Sequence, residues 1–115
     1  MSHAVEPHDL AETAAPYGTT PFLLYSASDG SARVNHVVAH VDGITVRVIG
    51  FGRGVVGRVE DGAALSLLWP ATHDEAFSLI ADGQGSVTDD GETLVISITA
   101  AVLHRPAPVD GNAAC

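Results

Sequence analysis

The stretch with the most chemical potential is Gly50-Phe51-Gly52-Arg53-Gly54-Val55-Val56-Gly57. Glycines this closely spaced let the backbone turn through conformations closed to other residues. Such a turn, set after a strand and before a short helix, can offer backbone N–H groups to an anion. Arg53, flanked by Gly52 and Gly54, adds a fixed positive charge. The same stretch contains G-x-G-x-x-G, the spacing of a dinucleotide fingerprint. That fingerprint needs a parallel strand–helix–strand unit, and the sequence around it reads as hairpins. A phosphate-binding turn is therefore the better functional reading, and a turn that merely needs positive φ is the plain one. Arg58 lies off the helical face of Arg53. It can reach a second phosphate oxygen or pair with Glu60 or Asp61.

The remaining candidates are scattered. His36 and His40 alternate with Val34 and Val38, which places all four on one strand face. Four strand residues span about 13 Å, too far for two histidines to share a metal. His36 alone can line a cofactor cleft or ligate haem, or be an ordinary histidine satisfied by backbone. Trp69 can stack on a flat ring or fill the core. Arg33 and Arg47 read as residues of neighbouring strands, in cofactor contacts or outward salt bridges. His73, Asp74 and Glu75 share one loop but have no orienting partner. Ser26, Ser66 and Ser78 lie in no nucleophile elbow, and no metal site is expected.

These residues must be positioned by strands. Glu6 to Ala15 reads as a short helix with an early Pro7, stopped at Pro16-Tyr17-Gly18. From there alternation of period two takes over. Strands are expected over 22–28, 32–41, 44–49, 65–69, 77–87 and 92–103. Ser28-Asp29-Gly30, Asp42-Gly43 and Asp89-Asp90-Gly91 are turn signals between them. Ile44, Val46 and Val48 should share one face. So should Leu94, Ile96, Ile98, Ala100 and Val102 on the last strand. Gly83 and Gly85 mark a bend or bulge. The expected class is mainly β, a six-stranded antiparallel barrel with short helices. Residues 1–5 read as a disordered start, 6–106 as the domain and 107–115 as a flexible tail.

Composition narrows the partners. The chain has 115 residues, fourteen Asp and Glu, five Arg and no Lys, for a net charge of −9. That balance disfavours nucleic acid, whose affinity comes from neutralised phosphates, and anionic membrane surfaces. Cys115 is the only cysteine and is terminal, so no internal disulfide is possible. The N-terminus has no secretory pattern. A soluble, cytoplasmic protein is expected.

Leu65-Ser-Leu-Leu-Trp-Pro70 followed by Phe77-Ser-Leu-Ile-Ala-Asp-Gly-Gln-Gly-Ser-Val87 resembles the fourth and fifth strands of the pyridoxamine 5'-phosphate oxidase-like, FMN-binding split β-barrel family. Asp42 to Val48 with the glycine turn, and Thr99 to Pro106 at the close, extend the resemblance over roughly residues 8–106. The resemblance implies a homodimeric split barrel with a flavin in a cleft at the dimer interface. The cofactor it implies is FMN, with deazaflavin or haem as alternatives, and the activity is hydride transfer to or from a small organic substrate. Taken with the readings above, the candidate cofactor contacts are Arg53, Gly52, Gly54, Arg58, Ser78, Trp69 and His36. Where the family commonly has two adjacent basic residues, this chain has Arg53 followed by Gly54. A non-catalytic flavin or haem binder, or a member without cofactor, is thus the alternative.

Overall fold

The computed structural model describes residues 2–73 and 76–106. Alternation of apolar and polar side chains builds most of it. Among the described residues an eight-stranded sheet forms from β1 (Ser2–Val5), β2 (Phe22–Ser26), β3 (Ala32–His36), β4 (Val38–Asp42), β5 (Thr45–Ile49), β6 (Leu65–Trp69), β7 (Ser78–Val87) and β8 (Leu94–His104). Helix α1 (Leu10–Ala14) lies between β1 and β2, and α2 (Val56–Glu60) between β5 and β6. Every pairing is antiparallel. The order is β3-β2-β6-β7-β8-β5-β4, with β1 added to β8.

β3 and β4 follow each other in the chain yet stand at opposite ends of that order. Chain continuity therefore bends the sheet round on itself. The bend is fixed where Val37 N–H donates to Pro21 O at 3.1 Å and Ala39 N–H to Thr19 O at 2.8 Å. The result is a curled, antiparallel half-barrel. Its inner face is filled by Leu23, Val46, Val48, Leu67, Leu79 and Leu94, all fully buried. α1 adds Leu10 and Ala14, and α2 adds Val59. No helix among the described residues is long and apolar enough to cross a membrane.

Several expectations change in three dimensions. Ser2–Val5, read as a disordered start, is a strand paired with residues 101–104 of β8. The segment 32–41, read as one strand, divides at Val37 into β3 and β4, which pair with different neighbours. Alternation runs unbroken through the division: Val37 and Ala39 are buried, while Val34, His36 and His40 face out. Ile44 falls in the turn before β5 and is 53% exposed, so it does not share the buried face of Val46 and Val48. Arg33 and Arg47 are not on neighbouring strands, because β3 pairs with β2, and β5 with β4 and β8. The tail 107–115, Asp74 and Glu75 lie outside the described residues.

The glycine signal on β7 does mark a bulge. Asp82 pairs with Ala100 but Gly83 pairs with Ile98, leaving Thr99 as the extra residue. An extra residue reverses the faces beyond it. Ile96 and Ile98 point inward before the bulge; after it Ala101 is buried and Leu103 packs on the core. Ala100 and Val102 therefore leave the face that spacing alone assigns them. A side chain at Gly83 would fall on the backbone carbonyl of Ser97, so the close approach of the two strands requires glycine there.

Candidate functional site

The chain leaves β5 through Gly50 and Gly52, both with positive φ (69° and 79°), a region that favours glycine. Between them Phe51 drops into the core. Asn35 on β3 anchors the turn by donating from Nδ2 to Phe51 O at 2.8 Å. Val56 N–H then bonds to Arg53 O at 3.2 Å as the chain enters α2. Gly54 lies against Tyr25 of β2, and a Cβ there would be 2.9 Å from the tyrosine hydroxyl.

Shallow clefts flank this turn and meet at Gly50. One, of about 180 Å³, is lined by Gly50, Phe51, Gly52, Arg53, Val56, Gly91 and Glu92. The other, of about 170 Å³, is lined by Thr20, His36, Val37, Val38 and Gly50. Pockets that enclose a whole small ligand are larger, at roughly 300–1,000 Å³. Each cleft is thus suited to one end of a ligand.

The far wall of the first cleft comes from the turn between β7 and β8. Asp90 Oδ1 accepts a hydrogen bond from the Thr88 hydroxyl at 2.6 Å and from Glu92 N–H at 3.0 Å. These bonds, the hydroxyl's first, hold the Asp90 carboxyl below its ordinary range because both favour the charged form. The turn so ordered carries Glu92 to the cleft. Neither the Arg53 guanidinium nor the Glu92 carboxylate has an ion pair or side-chain hydrogen bond among the described residues. Both are exposed. A cation and an anion therefore face one cleft, available to a ligand.

His36 stands over the second cleft. Its ring stacks on Phe22 with centroids 4.5 Å apart and planes 19° from parallel. Nε2 lies 3.0 Å from Thr20 O. A carbonyl only accepts, so Nε2 carries the proton and Nδ1 of the neutral ring remains an acceptor.

The structure thus joins Gly52 and Arg53 in one cleft and sets His36 beside it. Gly54 packs behind the turn. The other expected residues are elsewhere and engaged. Arg58 donates from Nε to Ser26 O at 2.8 Å and from Nη1 to Asp61 at 3.1 Å, tying α2 to the end of β2. Ser78 Oγ accepts from Ala71 N–H at 2.9 Å and braces the loop after β6. Trp69 is 1% exposed, and its indole N–H donates to Gly18 O at 3.2 Å, so neither ring face is open to a ligand. Glu92 and Thr20 were not legible as site residues. The acidic turn signal at 89–91 was visible, but nothing in the sequence says that it folds against the glycine turn.

The chain matches no protein-family profile and no curated protein sequence.

Proposed function

We propose that this chain is a flavin-binding split-barrel protein that works as a homodimer, with the polar tail of the flavin at Arg53. The observation that carries the reading is a guanidinium with no side-chain partner among the described residues, on a glycine turn at the end of a strand in an antiparallel sheet curled round one core. A phosphate at the end of the tail, as in FMN or the deazaflavin cofactor, would find there a charged donor and exposed glycine backbone. The residues fit that tail. The two clefts at Gly50 each take one end of a ligand and do not enclose the ring, which is why the reading includes a second chain. Bound, a flavin supplies the hydride chemistry with a small organic substrate. The chain's own part is to hold, orient and shield it.

Support for the dimer comes from the outer sheet face. His36, Phe22, Leu68, Ile80, Val102 and Ala4 are successive cross-strand partners over β3, β2, β6, β7, β8 and β1. With His36 at one end, the other five form a carboxylate-free apolar row, half-buried except at Ala4, and contiguous apolar surface is what a partner chain covers. A second copy laid on it would also wall the cleft beside His36. A cytoplasmic location belongs to the same reading.

The absence of a second basic residue beside Arg53, and Glu92 across the cleft, favour a second reading: a non-catalytic flavin or haem binder, or a barrel without cofactor. The visible spectrum of the purified protein with and without FMN separates these. Flavin bands that reduce and reoxidise with substrate support the enzyme. A Soret band supports haem at His36. A colourless protein that binds neither supports the cofactor-less barrel. Arg53→Ala should weaken FMN binding by about tenfold, the worth of one charge-assisted contact, in a fluorescence titration. Unchanged affinity removes Arg53 from the site.

A further inference from the structure

We infer that Glu92 is a charge selector at the Arg53 cleft, cancelling the advantage that Arg53 alone would give a phosphate dianion over a neutral or singly charged tail. This rests on the flavin reading above and goes beyond it by stating how the cleft ranks flavins of different tail charge. Arg53 and Glu92 line the same cleft with Gly50, Gly52 and Gly91 between them. Neither is neutralised by another side chain among the described residues. An anion that approaches Arg53 therefore also approaches a carboxylate. The other four arginines do not offset this, because none of them lines the cleft: Arg58 is occupied by Ser26 and Asp61, Arg33 by the carbonyl of Ala32 beside Asp29, Arg105 lies over the Phe77 ring, and Arg47 sits within β5 between His40 and Val95.

The balance depends on ligand charge. A dianion gains twice from Arg53 but loses twice to Glu92, and its shed hydration is the most costly. A neutral polyol tail, such as that of riboflavin, can accept from the guanidinium and donate to the carboxylate at once. The position of Glu92 is not incidental, since the Asp90 carboxylate fixes its backbone N–H. Glu92→Gln keeps that backbone bond and removes only the charge.

The test is a set of fluorescence titrations of the full chain with riboflavin and with FMN, at low and at physiological salt. In the wild type the two affinities should agree within about threefold, because attraction and repulsion at the phosphate nearly cancel. Glu92→Gln should tighten FMN by about fivefold at low salt and leave riboflavin unchanged, with the gain shrinking as salt screens it. FMN bound tens of times more tightly than riboflavin by the wild type, or an unchanged FMN affinity in Glu92→Gln, overturns the inference. If no form binds either flavin, the flavin reading falls. Inorganic phosphate, followed by phosphorus NMR line position, then decides the inference by itself. Stronger phosphate binding by Glu92→Gln than by wild type sustains the charge selector, and equal binding overturns it.

Discussion

At position 54, in the turn before α2, a neighbour from β2 limits the side chain to a hydrogen atom. The Tyr25 hydroxyl occupies the space that a Cβ would need, 2.9 Å away. Tyr25 is itself buried, so its ring yields only by disturbing the packing beneath the turn. Gly54→Ala should cost about 1–2 kcal/mol, the usual range for overpacking. Tyr25→Phe removes the oxygen in the way. In a double-mutant cycle by urea denaturation, Gly54→Ala should cost clearly less in the Tyr25→Phe background, because the two residues are coupled. Strictly additive costs would show that the glycine is needed for another reason. The same scale explains Trp69 and Ser78. Their types permit a ligand contact, but each is held by a backbone partner that no side-chain inventory names.

Among the elements, the turn from Thr88 to Thr93 links electrostatics to the cleft. Asp90 is its hinge pin, accepting from the Thr88 hydroxyl and the Glu92 N–H. Its carboxyl is lowered in the folded chain. Linkage then has a definite sign. The folded value lies below the unfolded one, so the ordering contribution is complete above the ordinary carboxylate range. It is lost as pH falls through the lowered value. The carboxyl is solvent-exposed, so the effect is local and does not govern global stability. The Glu92 amide proton shift, followed by NMR against pH, should move with a midpoint below the ordinary aspartate value. Asp90→Asn should abolish that movement. A midpoint at the ordinary value would mean that the two bonds do not persist in solution. Asp29 repeats the device, lowered first by the Ser31 hydroxyl and then by the Ser31 N–H.

For the whole molecule, the net charge of −9 opposes self-association through any acidic face. The outer row from His36 to Ala4 carries no carboxylate of its own, so in the proposed dimer it is the row that would meet its copy. Ile80 stands in the middle of the row, paired with Leu68 on one side and Val102 on the other. Ile80→Asp puts a charge there without touching the inner core, because Leu79 and Ala81 are the buried neighbours. Sedimentation should show a wild-type dimer and an Ile80→Asp monomer with the same circular dichroism. A wild-type chain that stays monomeric at high concentration would sink the dimer and the shared cleft with it.

Local chemistry by itself determined the β-rich class, the turns at Ser28-Asp29-Gly30, Asp42-Gly43 and Asp89-Asp90-Gly91, and the short helices, one before β2 and one after the glycine stretch. Each depends on residues close together in the chain, where alternation and turn preference act directly. Tertiary structure alone decided that β2 pairs with β6 and β5 with β8, that Val37 carries one strand from one end of the sheet to the other, and that Ser2–Val5 is held as a strand. It also decided that Ala101 and Leu103 face inward, since a period of two cannot register the extra residue at the bulge. Arg53 was visible as a charge on a flexible turn. That Glu92 confronts it was not, because strand pairing between segments far apart in sequence brings the two turns together.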